Sequence, residues 1–177
     1  MSWRDGFFEI DLGLVPMPNI DPGWVASKSY PRAQVQLWTE DLAEIQRRSL
    51  QLNWTPESFE RLAMSQDPRE RQLAETYHKF YHHDNGGARL NHDFVKVEWV
   101  QDHYDITNGQ HRIWMAKQYG LRTMPAHVSA PDQETLDRLR KDGERLAGVS
   151  PDTRSAPKPI WERHGHDSPE RDSTRQR

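Results

Sequence analysis

Asn108-Gly109-Gln110-His111-Arg112 joins a stretch of strand character ending at Thr107 to a helical pattern running on to Tyr119. A strand that passes through a glycine turn into a helix aims the helix's first free backbone N–H groups at one point. The helix dipole favours an anion there. Gly109 lacks the Cβ that would block close approach to the backbone. Arg112, in the first turn, offers a planar fork for phosphate oxygens. His111 can donate to an anion or move a proton near neutral pH. The pattern describes a phosphate cradle whose binding residues are Thr107, Asn108, Gly109, Gln110, His111 and Arg112, with His111 also a candidate catalytic group. The same spacing fits a tight turn whose Arg and His are solvated, because short Gly-turn-helix stretches are common.

Other residues could join this chemistry. Glu9 and Asp11 lie at the first strand, where a carboxylate can bind Mg²⁺ or act as a base, or simply be solvated at a strand edge. Glu9 is the candidate catalytic carboxylate. Arg32 is a second candidate phosphate ligand, the alternative being an ordinary loop arginine. In the run YHKFYHHD, His78 and His82 stand one helical turn apart, with His83 and Asp84 beside them. That spacing can hold a metal on one helix face. Without further ligands it reads as a polar helix end, so no metal site is assigned; His92 and His103 join it only if the fold brings them near. Lys96 falls on the polar face of its strand and is read as solvated. The seven Trp are core candidates, although Trp24 and Trp38 stand at boundaries where they could stack on a base.

The elements that must position these residues follow from periodicity. Residues 7–15 read as one strand, followed by a long Pro- and Gly-rich loop. A helix is expected from Thr39, with Glu40 and Asp41 in its first turn and Leu42, Ile45 and Leu52 inward. A second has Thr55 as cap and Pro56 in first position, burying Phe59, Leu62 and Ala63. A third starts at Asp67-Pro68 and turns Leu73, Tyr77, Phe80 and Tyr81 inward. Residues 94–100 alternate strictly, Gln101-Asp102 is a turn and residues 103–107 return, so this is a hairpin. Residues 110–119 form a helix stopped by Gly120. A short strand at 124–128 is assigned an edge position because of Pro125. A last helix covers 131–146 with Leu136, Leu139 and Leu146 inward, and from Val149 the apolar periodicity ends, as in a disordered tail.

Composition narrows the classes. A chain of 177 residues suits one domain with a tail: 1–148 as the domain, with a helical insertion at about 38–83, and 149–177 as the tail. A net charge of −3 exerts no global pull on nucleic acid, so anion binding must be local. The absence of cysteine excludes disulfides, thiolate metal sites and cysteine nucleophiles. No stretch resembles a signal peptide or a membrane span, so a soluble cytoplasmic protein is expected.

The strand, NGQHR, the helix and then YGLRTMPAHV resemble the core signature of the ParB/sulfiredoxin-like superfamily, with the match strongest over residues 94–128. Residues 7–15 and SYPR at 29–32 resemble the family's opening strand and Pro-Arg box. The resemblance implies an α+β fold with a small mixed sheet, and a nucleoside triphosphate (ATP or CTP) with Mg²⁺ held by Gly109, His111 and Arg112. It also implies a role for an acidic residue near the opening strand, as in ParB-like kinases. Two departures limit it. Where sulfiredoxins carry a catalytic Cys this chain has Gln110, which excludes sulfinic-acid repair. The downstream helix-turn-helix and dimerisation domains of partition proteins have no counterpart here.

These readings lead to nucleotide binding through residues 107–112, with nucleotide hydrolysis or phosphoryl transfer as the accompanying chemistry and no general base identified. The alternatives are a ParB-like nuclease or nucleic-acid-binding effector or toxin domain, and a non-catalytic interaction protein that keeps the fold. A protein partner would be met through the helical insertion or the tail.

Overall fold

The computed structural model describes residues 3–21, 23–24, 30–81 and 93–148. The fold is α+β: a four-stranded mixed sheet with helices packed on it. In chain order the elements are β1 (Arg4–Asp11), α1 (Arg32–Gln51), α2 (Pro56–Arg61), α3 (Pro68–Tyr81), β2 (Lys96–Val100), β3 (His103–Asn108), α4 (Gln110–Tyr119), β4 (Thr123–Ala130) and α5 (Gln133–Gly148). Among the described residues no helix is long and apolar enough to cross a membrane. The tail at 149–177 lies outside the described residues.

The strand order is β1-β4-β2-β3, with β4 antiparallel to β1 and parallel to β2. This corrects the edge placement of the Pro125 strand, which is longer than expected and central. A central proline is tolerated here because His127 donates its N–H to Val95 O, 2.8 Å away. Two residues earlier, the Pro125 nitrogen faces the same side. There β2 has not yet begun, since its pairing with β4 starts at Lys96↔His127. No ladder bond is lost.

Alternation divides the sheet's residues. Phe8, Ile10, Met124, Ala126 and Val128 share one face by register and are all buried in the main core, with Leu136 and Leu139 of α5 in the same cluster. The opposite face carries Phe7, Glu9, Asp11, Thr123, Pro125 and His127.

α1 begins seven residues before the expected cap, at Arg32 behind Pro31. Thr39 and Asp41 look like cap residues but lie inside the helix. Thr39 turns its hydroxyl back to donate to Val35 O at 2.8 Å. Asp41 is sealed in the interior, accepting from the Thr76 hydroxyl at 2.5 Å and pairing with Arg69 at 2.8 Å. Val35 and Trp38 extend the buried stripe of Leu42 and Ile45 by one turn, whereas Leu52 caps the helix and is exposed. α2 starts as expected, with Thr55 and Ser58 forming a reciprocal capping box before Pro56. Of its expected stripe Phe59 is buried, Leu62 only partly, and Ala63 is exposed. Ile45, Phe59 and Leu73 form a second small core, flanked by Trp54, Tyr77 and Tyr81.

Candidate anion site at the start of α4

The hairpin of β2 and β3 delivers the chain to this site. Lys96 pairs with Asn108 but Val97 with Ile106, so Thr107 is an extra residue that re-aims the end of β3. Its hydroxyl donates to Lys96 O at 3.1 Å. Asn108 then donates to Phe94 O at 2.7 Å. Gly109 takes φ +99°, a left-handed conformation that favours glycine. A Cβ there would also stand 3.1 Å from Val95 Cγ2. α4 starts at Gln110 with no capping side chain among the described residues and no acidic residue in its first turn. Its leading N–H groups therefore keep their capacity to bind an anion.

The structure corrects the placement of Arg112. It is not an exposed fork: it is 6% exposed, and its Nη1 and Nη2 donate to Asp93 O at 2.8 Å and Asp93 Oδ1 at 2.9 Å. Asp93 also accepts from the Tyr30 hydroxyl and Asn108, and Lys79 Nζ lies 3.6 Å from its Oδ2. Burial pushes the Asp93 carboxyl up, but the Tyr30 hydrogen bond and the Arg112, Asn108 and Lys79 contacts outweigh it and hold the group below the usual range. Arg112 thus ties the segment before β2 to the first turn of α4. Nothing within a few residues of Arg112 announces Asp93; the hairpin register, which sets Lys96 opposite Asn108, is the signal that places them together.

The cation that faces solvent is Arg32. Its guanidinium lies 5.7 Å from the centre of the Trp24 ring and 5.5 Å from that of Trp114. Trp24 in turn meets the His111 ring at 4.6 Å and the edge of Trp114 at 6.0 Å. Arg32, Trp24, His111 and Trp114 form one aromatic and cationic platform beside the α4 start. Both tryptophans considered for base stacking are buried: Trp24 within this platform, and Trp38 against Tyr30, Phe80 and the Lys79 amine.

Glu9 is not brought to this platform. It borders a cavity with Gln46 and Ser49 of α1. Gln46 lies about 21 Å of helix rise beyond Arg32. The one carboxylate at the α4 start, Asp93, is already engaged by Arg112 and Tyr30, so the described residues here do not fit a resident Mg²⁺. Among the described residues no group of three His, Asp or Glu converges on a metal position. His82, His83, Asp84 and His92 lie outside the described residues, and His103 is held between Asp102 and Asp105 at the hairpin turn.

Burial raises the Glu9 carboxyl above the ordinary glutamate range, and hydrogen bonds from Tyr81 and Thr123 only partly oppose it. A carboxyl raised in the folded state binds its proton more tightly when folded, so the fold loses stability as pH rises through that folded value. Glu9→Gln is therefore expected to be more stable than wild type near pH 8, the difference fading as pH falls below the ordinary carboxyl range of about 4. Thermal melts across this range check it; a variant less stable than wild type at the alkaline end would show a carboxylate stabilised by the fold.

Fold and site together define an α+β protein with a Gly-turn helix start beside an exposed arginine and three aromatic rings. Compared with known protein families, with curated proteins and with solved structures, the chain has no match in any of the three.

Proposed function

We propose that this chain binds a nucleoside di- or triphosphate at the start of α4. In this reading the phosphates meet the first N–H groups of α4, His111 and Arg32, while the partly exposed Trp114 offers a face for the base. The observation that carries it is a helix start with no capping side chain among the described residues, behind the left-handed Gly109, with the exposed Arg32 guanidinium held over two tryptophans next to His111. The resemblance to the ParB/sulfiredoxin-like superfamily supports the same assignment, with one change of roles. Arg112 positions the turn through Asp93, and Arg32 takes over as the cationic contact. In this reading His111 is the candidate group for moving a proton if phosphate chemistry accompanies binding.

Calorimetric titration with ATP, CTP, GTP and their diphosphates tests this. A charge-assisted contact at a solvent-facing site contributes about 1.5 kcal/mol, so Arg32→Ala is expected to weaken nucleotide binding roughly tenfold. Its melting temperature should stay near that of wild type, because Arg32 is exposed. Equal binding by wild type and Arg32→Ala, or no nucleotide binding by wild type, would overturn the assignment.

A further inference from the structure

The cavity at Glu9 is built from parts that the phosphate site does not use. It has a volume of about 240 Å³ and is bordered by Glu9, Gln46, Ser49, Trp54, Phe59, Tyr77 and Tyr81, among others. Its aromatic members stand in a row: Trp54 to Phe59 at 5.1 Å, Phe59 stacked on Tyr77 at 4.7 Å, and Tyr77 stacked on Tyr81 at 5.0 Å. Glu9 Oε1 is closed to solvent and has no hydrogen-bond partner among the described residues.

The electrostatics around this carboxyl are one-sided. The charge acting on Glu9 is that of another carboxylate, Glu144 of α5, and Tyr77 in the same wall feels Glu60, Glu57 and Glu9. Arg48 does lie 4.6 Å from the Trp54 ring centre, but its guanidinium is taken by Glu44 at 2.6 Å and by Glu70 at 3.0 and 3.2 Å. Tyr81 and Thr123 do hydrogen-bond to the carboxyl, but among the described residues it has no counter-charge beside it. Aromatic faces attract cations as well.

We propose that this cavity binds a small organic cation, a primary amine on a single-ring or similarly compact apolar body. The ammonium would supply the opposite charge that Glu9 lacks, while Trp54 and Tyr77 border the apolar body. A volume of about 240 Å³ sets the size class, that of a small single-ring molecule. The site is independent of the phosphate reading, since it lies at the far end of α1.

The experiment is calorimetric titration of the full chain with 2-phenylethylamine and with its neutral counterpart 2-phenylethanol. Wild type is expected to bind the amine roughly tenfold or more tightly than the alcohol. Glu9→Gln keeps the size and polarity of the side chain but removes the charge, and is expected to bring amine binding down to the level of the alcohol. Circular dichroism confirms that this variant is folded. A second variant, Tyr77→Leu, keeps the carboxyl but removes one cation-attracting face, and should weaken the amine more than the alcohol. Equal binding of amine and alcohol, undiminished amine binding by Glu9→Gln, or no amine binding by wild type overturns the proposal. None of these results depends on whether nucleotides bind at α4.

Discussion

Gly143→Ala is expected to lower the melting temperature by about 6–12 °C, the largest effect of any single methyl group added to a described glycine. In most helices this exchange stabilises by roughly 0.5–1 kcal/mol, because alanine has the better helix propensity. Here α5 crosses so close to β1 that an added Cβ would stand 1.8 Å from Glu9 O, 2.9 Å from Glu9 C and 3.4 Å from Ile10 Cα. The obstacle is strand backbone, already paired with β4 through Glu9↔Pro125 and Ile10↔Met124, and it cannot swing aside as a side chain could. α5 must retreat, opening the packing of Leu136 and Leu139, both buried in the main core. Overpacking typically costs about 1–3 kcal/mol, and a contact of 1.8 Å with strand backbone puts this one at the upper end. Gly148→Ala, with nothing within 4 Å of the added carbon, is the control and should melt within about 1–2 °C of wild type. Thermal denaturation of both variants is the measurement. A Gly143→Ala protein as stable as the control would mean that α5 does not dock on β1 at this distance.

Arg112→Ala is expected to destabilise by about 2–3 kcal/mol and so to lower the melting temperature by roughly 4–12 °C. The arginine is 6% exposed and its loss leaves Asp93 without its principal cation, while the Asn108 and Tyr30 contacts remain. Breaking a fully buried pair costs about 3–5 kcal/mol, but Asp93 is 35% exposed and water recovers part of the loss. A double-mutant cycle with Asp93→Ala is expected to return a coupling of about 1 kcal/mol or more. Arg112→Lys should restore little, because an ammonium cannot reach both the backbone oxygen and the carboxylate of Asp93 with the geometry of a fork. Nucleotide binding should fall with Arg112→Ala as well, since the Gly109 turn loses its tie to the segment before β2. The contrast with Arg32→Ala separates the two roles: there binding falls while the melting temperature holds. If Arg112→Ala melts like wild type, the Asp93 contact is not what anchors the α4 start.

Much of the frame was readable from residues close together in the chain. α4 runs from Gln110 to Tyr119 and ends at the left-handed Gly120, as its pattern indicated. The hairpin turns at Gln101-Asp102, and α2 begins at its Thr55 cap and Pro56. These features rest on period-two alternation, helical spacing and cap chemistry, all of which act within a few residues. The start of α1 was misread for the same local reason. Thr39-Glu40-Asp41 has the composition of a helix start, and only the burial of Asp41 against Thr76, thirty-five residues away in sequence, shows that it belongs to a helix interior.

By itself, then, the sequence determined where most helices and strands lie and that Gly109 opens a helix, because backbone conformation and capping are decided by neighbours. Tertiary structure decided which side chains are free to use that arrangement. It took Arg112 away from solvent by setting Asp93 beside it, and assembled Arg32 with Trp24, His111 and Trp114 from distant segments. It also carried Glu9 off to a separate aromatic cavity. The physical reason is that charge and hydrogen-bonding capacity are spent on whatever lies within a few ångströms in space, and in a sheet of order β1-β4-β2-β3 those neighbours come from the whole length of the chain.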